Sequence, residues 1–441
     1  MGERYLPATA LVDATQEETM YRLTPPAVYV SEQAMADARS AARARRMLAA
    51  LGCEERAIPF TDADIPEMIR ARAWETARRR QGTHAGHHDP ALVFTTIRFD
   101  DRPDPKRLLE ECPPGTPPSL VHQLLGYGGR TVHRENPKHD RVCRCRYQFE
   151  TLFGCPHGCC YCTGGQVSVI YVNLEELIER QIAPTLAGNP RQNVFMFNSA
   201  LSDTLCFEPE YGLTQLMAEL CAATEDRYYL IHTKSANVDF LREIDHRGHT
   251  ILLWSLTSPT VSRLVEPGSG TTEERIEAMG RCADAGYPVR VKFKPIVPVC
   301  GWRDEAEAMV DALLTRARPD NIGLCTIAWM SLADLRDCID FSLMDPEFVC
   351  AMEDAEARMR GVHTGPIPPE LRARVYQFYL DAIRARDREV PVFLCTESPE
   401  LWQEFAPRLG MRPGDYVCAC GPQTTPGARR IAELWEPESV A

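Results

Sequence analysis

Short apolar runs alternate with amphipathic stretches through the middle of the chain. Between about residues 146 and 335, runs rich in β-branched and aromatic residues are separated by patterns with helical periodicity. The predicted strands lie at 148–152, 192–198, 228–232, 250–256, 289–297 and 322–329. Strands that alternate with helices indicate parallel βαβ units. We therefore predict an α/β fold with a partial (β/α)6 TIM barrel, which stays open because closure needs eight strands.

The segments that flank the predicted barrel have different patterns. Residues 1–145 are rich in Ala, Arg and Pro and contain helical stretches, so they predict a mostly helical extension. Residues 146–335 form the barrel. Residues 336–441 combine helical stretches with one clear strand at 390–395, which predicts a C-terminal α/β extension. In a barrel of this kind the active site lies at the carboxyl ends of the strands.

Composition and charge restrict the binding partners and the cellular compartment that we expect for the protein. The chain has 49 Lys+Arg and 62 Asp+Glu, a net charge of -13, whereas proteins that grip a polyanion usually have a basic surface. We therefore expect a small cationic or neutral substrate and no extended nucleic-acid contact. No apolar run reaches membrane-spanning length, and the N-terminus lacks a secretory pattern, so we expect a cytoplasmic protein without a membrane contact. Its 18 cysteines are then thiols or metal ligands.

One loop carries cysteines with the spacing of an iron–sulfur ligand set. Cys155, Cys159 and Cys162 form a C-x3-C-x2-C arrangement directly after the first predicted barrel strand. Three thiolates leave one iron of a [4Fe–4S] cluster open. S-adenosyl-L-methionine can chelate that iron and be cleaved to a 5′-deoxyadenosyl radical. A zinc knuckle is the alternative, but structural zinc takes four ligands, and using Cys160 breaks the spacing. Tyr161, just before the last cysteine, also fits the radical-enzyme pattern.

A collinear series of short segments follows this loop as far as about residue 315. The segments are 199–203 (SALSD), 233–239 (TKSANVD), 246–250 (HRGHT), 254–256 (WSL), 266–268 (EPG), 275–278 (RIEA) and 285–288 (AGYP). Together they resemble the spore photoproduct lyase family of the radical S-adenosylmethionine superfamily. The resemblance implies that Lys234 approaches the carboxylate of S-adenosylmethionine and that Ser199 and Ser255 line the cofactor.

Two positions depart from the pattern of that family. The lyases carry a cysteine in the segment that reads SALSD here, and this cysteine returns a hydrogen atom to the repaired thymine radical. This chain has Ala200 there, and a methyl group has no weak X–H bond to give. The lyases also have a tyrosine after the last cluster cysteine, where this chain has Thr163. With the acidic net charge, these departures argue against DNA repair.

The chain also resembles the radical diol dehydratases of aminoglycoside antibiotic biosynthesis, which are carbon–oxygen lyases. This resemblance implies hydrogen abstraction from a sugar carbon and dehydration of a 1,2-diol, as in paromamine 3′-deoxygenation. The implied partners are a small cationic amino-sugar, an electron donor of the flavodoxin or ferredoxin type and a nicotinamide-dependent reductase. The predicted catalytic residues follow the second strand, where an acid/base group would meet the substrate; they are Asp203, Glu208, Glu210 and Tyr211.

Several alternatives stay open at the level of sequence. The second functional hypothesis is a DNA photoproduct lyase-type repair enzyme, with the arginine runs at 43–46 and 78–80 as its DNA grip. A third is an iron–sulfur sensor module. Two further C-x-C pairs, Cys143 with Cys145 and Cys418 with Cys420, could close a zinc site or bind a second cluster. They could also donate hydrogen atoms or remain unligated thiols.

Overall fold

The computed structural model describes residues 23–76, 82–83, 86–133, 141–143, 146–164, 166–190, 192–198 and 202–429. Within these residues the strands, numbered along the chain, are β1 (Val28–Ser31), β2 (Ala57–Phe60), β3 (Gly82–Thr83), β4 (Gly86–His87), β5 (Ala91–Thr95), β6 (Gly129–His133), β7 (Arg146–Glu150), β8 (Leu152–Phe153), β9 (Val167–Tyr171), β10 (Val194–Phe197), β11 (Tyr228–Thr233), β12 (Thr250–Leu256), β13 (Val289–Ile296), β14 (Ile322–Thr326) and β15 (Val392–Leu394).

The α-helices of the same residues are numbered in the same way. They are α1 (Glu32–Ala36), α2 (Ala38–Ala50), α3 (Ile65–Ala71), α4 (Pro105–Glu111), α5 (Pro118–Leu124), α6 (Leu174–Leu177), α7 (Ala183–Ala187), α8 (Leu213–Ala222), α9 (Pro259–Leu264), α10 (Thr272–Asp284), α11 (Trp302–Arg316), α12 (Leu332–Cys338), α13 (Pro346–Asp354), α14 (Glu356–Met359), α15 (Pro369–Arg386) and α16 (Pro399–Leu409). None of these helices is long and apolar enough to cross a lipid bilayer.

The larger sheet is the predicted partial barrel. Its order is β15-β14-β13-β12-β11-β10-β7-β6; β6 pairs antiparallel with β7, and the other pairings are parallel. All seven residues of β12 are buried, as expected for a parallel strand covered on both faces. The mixed α/β fold with an open parallel barrel is therefore confirmed. The sheet gains a seventh parallel strand, β15, from the segment predicted as a C-terminal extension.

A second sheet joins the N-terminal segment to the barrel segment. Its order is β2-β1-β5-β9-β8, with the first four strands parallel. Helical patterns dominate residues 1–145 in the sequence, but β1, β2 and β5 also lie there. The side chain of Arg43 on α2 fixes this unit to the barrel, because its guanidinium donates to the carbonyl oxygens of Tyr211 and Val172 and pairs with Glu175.

The C-terminal residues close the amino ends of the barrel strands. Arg290, fully buried near the start of β13, donates to the carbonyl oxygens of Ala419 and Thr424. The backbone N–H groups of Asn193 and Val194, at the start of β10, donate to the carbonyl oxygen of Pro422. With that end covered, the open space of the barrel lies at the carboxyl ends of the strands, where the site is found.

Candidate active site

The three cysteines of the C-x3-C-x2-C loop face one cavity at the carboxyl ends of the strands. Cys155, Cys159 and Cys162 line this cavity of about 340 Å³, a volume within the range of small-molecule sites. Cys160 does not line it, and its backbone N–H donates to the carbonyl oxygen of Val265 at 2.9 Å. The structure thus separates the three spaced cysteines from the fourth.

Close backbone packing holds the cluster loop in place. The N–H of Gly268 donates to the carbonyl oxygen of His157 at 2.9 Å. A Cβ atom at Gly268 would lie 2.7 Å from the carbonyl oxygen of Pro156, so only glycine allows this approach without movement. The 266–268 segment, which connects α9 to α10, therefore positions the loop that carries the cysteines.

The donor set fits an iron–sulfur cluster better than a single metal ion. Burial raises the pKa of all three thiols, so they are protonated without a metal and release their protons when one binds. Among the described residues, no three His, Cys, Asp or Glu side chains converge as ligands of one ion. A cubane cluster does not need such convergence, because each thiolate binds a different iron. Cys155, Cys159 and Cys162 would hold it.

A buried ion network lies beside the three thiols. The carboxylate of Glu266 is fully buried, accepts from Arg275 at 2.6 Å and from Thr257 at 2.9 Å, and pairs with Lys234 at 3.1 Å. The hydroxyl of Tyr161 donates to the same carboxylate. Burial alone raises the pKa of Glu266, but the two cations outweigh it and lower the pKa to about 2. The carboxylate is therefore ionised at neutral pH.

Three of the four predicted cofactor residues lie at the cavity. Tyr161, Lys234 and Ser255 all line it, and the ring Nε2 of His232 lies 2.9 Å from the hydroxyl of Ser255. Ser199 lies outside the described residues, as does Ala200. The proposed cofactor contacts of these residues stay predictions.

The predicted catalytic residues separate into two groups. Asp203 lines the cavity, but its carboxylate accepts from Thr233 and from the backbone N–H of Lys234, and it lies 3.3 Å from Nε2 of His157. These contacts make it an anchor for the neighbouring strand end and the cluster loop.

The other three residues of that prediction do not line the cavity. Glu208 accepts from the backbone N–H groups of Gly212 and Thr214 at the start of α8, as a buried helix cap does. Tyr211 is fully buried and donates to two backbone carbonyl oxygens. Glu210 is buried beside them, and its carbonyl oxygen accepts from Arg46. The structure gives no support for a substrate role of these three residues, because each already makes contacts that stabilise the fold.

Several cavity residues were missed from the sequence, among them His157, His232, Lys294 and Trp329. Lys294 and Trp329 both line the cavity, and the ammonium group of Lys294 lies 4.2 Å from the centre of the Trp329 ring. A signal for the lysine existed in β13, where Arg290, Lys292 and Lys294 alternate with apolar residues. This period of two places three basic side chains on one face of the strand. Trp329 had no comparable signal, because its loop position gives no periodicity.

Of the two C-x-C pairs, the structure describes Cys143, Cys418 and Cys420. The sulfur atoms of Cys418 and Cys420 are 3.9 Å apart, and Cys420 accepts from the ammonium group of Lys292 inside the barrel. Cys143 follows a bridge between Val142 and Glu397, and Cys145 lies outside the described residues. A zinc or cluster site shared by the two pairs stays a prediction.

A parallel partial barrel with a three-cysteine loop at the carboxyl ends of its strands is the arrangement of the radical S-adenosylmethionine class. Within that class, residues 143–325 match the family model of spore photoproduct lyase, less than half of the chain. The lyase of Clostridium acetobutylicum is 26% identical over 170 residues, 37% of this chain and 50% of the relative. The lyase of Bacillus subtilis is 29% identical over 173 residues, 36% of this chain and 48% of the relative. The chain thus matches about half the length of these curated relatives.

Solved structures show the same fold over more of the chain. A spore photoproduct lyase variant superposes with a TM-score of 0.57 at 16% identity, covering 84% of this chain and 98% of that one. Another variant, with bound AdoMet and dinucleoside spore photoproduct, gives a TM-score of 0.55 at 16% identity, with coverages of 85% and 99%. The predicted pairing of an iron–sulfur cluster with S-adenosylmethionine is supported by these matches.

The comparisons also correct the predicted partners. The expectation of a small amino-sugar and no nucleic acid is wrong, because the matching proteins are spore photoproduct lyases and three of the solved structures hold a dinucleoside spore photoproduct. Nothing in these matches supports the resemblance to aminoglycoside diol dehydratases. The acidic net charge led to the wrong prediction, because net charge describes the whole protein and the cavity is only a small part of its surface.

Proposed function

We propose that the chain is a radical S-adenosylmethionine lyase that acts on a dinucleotide lesion of DNA. The observation that carries this proposal is the convergence of Cys155, Cys159 and Cys162 with Lys234 on one cavity, in a segment that matches the spore photoproduct lyase family. A [4Fe–4S] cluster with S-adenosylmethionine, when bound, supplies a 5′-deoxyadenosyl radical by one-electron cleavage. The protein's own residues bind, orient and enclose the reactants.

The charge of the Glu266 network supports the cofactor part of the proposal. Among the described residues, Lys234 and Arg275 share the single carboxylate of Glu266, which leaves the group one net positive charge. Lys234 is the member that lines the cavity. A cation in a poorly hydrated site attracts an anionic group strongly, so this position suits the carboxylate of S-adenosylmethionine.

Trp329 supports the part of the proposal that concerns binding of a nucleobase. Its side chain is 42% exposed although it is large and apolar, and its backbone has a φ of 66°, which is strained for a residue with a side chain. The loop is held on both sides, since its N–H donates to the carbonyl oxygen of His363 and Ser331 caps α12. An aromatic ring fixed at a cavity wall is a stacking surface for a base.

The experiment that tests the proposal measures what stimulates cofactor cleavage. The protein is reconstituted anaerobically with iron and sulfide, reduced, and incubated with S-adenosylmethionine and dinucleoside spore photoproduct. Chromatography then measures 5′-deoxyadenosine and the repaired dinucleotide. We expect both products with the lesion and no repair product with the undamaged thymine dinucleotide.

The matched control for this experiment separates the site from the fold. Lys234→Met removes the cavity cation that pairs with Glu266, and Lys106→Met removes an exposed lysine at the start of α4. Only the first should lower cofactor cleavage. Cleavage by the wild-type protein that gives no repaired dinucleotide would contradict the assigned substrate.

A further inference from the structure

Two thiols lie side by side at the carboxyl ends of the last two barrel strands. The parallel register pairs Gly323 with Phe393 and Leu324 with Leu394, so Cys325 and Cys395 follow as the next cross-strand neighbours. The N–H of Cys395 donates to the carbonyl oxygen of Leu324 at 2.8 Å, which continues the ladder to this point. Both thiols are buried, and the sulfur of Cys325 lies 3.5 Å from the hydroxyl of Thr396, the residue that follows Cys395. Neighbouring parallel strands lie about 5 Å apart, a Cα separation that a disulfide can bridge.

Lysine side chains connect this thiol pair to the cavity. The ammonium group of Lys294, which lines the cavity, lies 3.7 Å from the sulfur of Cys395. The register of β13 places Lys292 beside Gly323, one layer deeper on the same face. The neighbouring Cys325 thiol, helped by the two ammonium groups, lowers the pKa of Cys395, whereas burial raises the pKa of Cys325. Cys395 is therefore the more acidic thiol of the pair.

The proposed reaction needs a hydrogen source, and this pair lies next to the cavity-lining residue Lys294. Ala200 has replaced the family's hydrogen-donating cysteine, and a methyl group cannot replace a thiol in that step. Cys325 precedes the cavity-lining residue Ile327 by two positions. We propose that Cys325 and Cys395 form a redox-active dithiol, which returns a hydrogen atom to the substrate radical and closes to a disulfide. This inference rests on the proposed function, because that function supplies the radical.

The proposed step balances in atoms and electrons. The S–H bond of Cys325 breaks homolytically, and a C–H bond forms on the substrate radical. The sulfur radical then bonds to the thiolate of Cys395, which gives a disulfide radical anion. Its extra electron passes to an oxidised one-electron carrier of the flavodoxin or ferredoxin class, leaving a neutral disulfide. An external dithiol restores both thiols by exchange.

The first test follows the thiols through a turnover of the wild-type protein. The reconstituted protein receives reduced flavodoxin, S-adenosylmethionine and dinucleoside spore photoproduct, and is then quenched in acid, alkylated and digested. Mass spectrometry should find the peptides of Cys325 and Cys395 joined in proportion to the repaired dinucleotide. The joined peptides should be absent without the lesion. Repair with both cysteines still alkylated as thiols would overturn the proposal.

Variants test the same pair by a different route. Cys325→Ala and Cys395→Ser should continue to form 5′-deoxyadenosine but lose the repaired dinucleotide. Cys282→Ala removes a buried thiol on α10, away from the cavity, and should retain both products. If Cys325→Ala repairs the lesion as well as Cys282→Ala does, Cys325 is not the hydrogen source.

A redox titration tests, without any turnover, whether the two cysteines form a disulfide. The protein is equilibrated in dithiothreitol buffers of increasing oxidised fraction, and the free thiols are counted by alkylation. We expect Cys325 and Cys395 to be lost together, with a mass decrease of two hydrogen atoms, and the loss should be absent in Cys325→Ala. If both cysteines stay reduced in the most oxidising buffer, the proposal of a redox-active dithiol is overturned. A wild-type protein that forms this disulfide but repairs no lesion would contradict the proposed function instead.

Discussion

Replacing Glu266 with Gln should destabilise the protein by about 3–5 kcal/mol, the cost of breaking a buried ion pair by removing one charge. The side chains of Glu266 and Arg275 are both fully buried, with an N–O distance of 2.6 Å. Glutamine keeps the shape and part of the hydrogen bonding but removes the negative charge. Arg275 and Lys234 then lose the charge that compensates them. Urea unfolding, followed by tryptophan fluorescence, measures the change in the free energy of unfolding.

The control is a glutamate in a solvated ion pair. Glu273 lies 3.8 Å from Arg263, and both side chains are more than half exposed. Its replacement by Gln should cost no more than about 1 kcal/mol, because solvent screens such pairs. A Glu266→Gln protein that unfolds at the same urea concentration as Glu273→Gln would refute the reasoning.

Three further predictions follow from the pKa of Glu266, from Gly268 and from Trp329. Because the folded-state pKa of Glu266 is lowered from 4.5 to about 2, its stabilisation should be complete above pH 4.5 and lost as the pH falls towards 2. The difference in urea midpoint between wild type and Glu266→Gln should therefore shrink over that range; a constant difference would contradict it. Gly268→Ala should lower the iron bound per chain after reconstitution, because the new Cβ meets the cluster-loop backbone at 2.7 Å. Gly188→Ala, whose Cβ lies 3.1 Å from its nearest contact, is the control, and equal iron in both would be contrary evidence. Trp329→Ala should weaken binding of the dinucleoside lesion by about 5- to 150-fold, the value of one stacked base. Calorimetry measures this loss of affinity, with Leu264→Ala, which changes another exposed apolar residue, as the control. Equal affinities of the two variants for the lesion would exclude stacking.

The sequence predicted the elements of the barrel better than their assembly. Apolar runs marked β10 to β14, because strands buried on both faces have few polar residues. The strand near 390 was also predicted, but its place beside β14 depends on pairing across the 65 residues of helix and loop between Thr326 and Val392. The short strands β1 and β2 were missed, since each has four residues within a segment of strong helical composition.

The site shows the same division between local and tertiary signals. The spacing of Cys155, Cys159 and Cys162 is local and could be read directly. The role of Glu208 could not, because a carboxylate that caps a helix and one that meets a substrate have the same sequence signature. The contact between Cys325 and Cys395 arises only when two distant strands pair.

The most direct test of the account is the formation of 5′-deoxyadenosine from S-adenosylmethionine by the reduced, reconstituted protein. The wild type and Cys160→Ala should both form it, because Cys160 does not line the cavity. Cys155→Ala, Cys159→Ala and Cys162→Ala should form none, because each loses a thiolate that holds the cluster. Undiminished formation by any of these three variants would contradict the central claim.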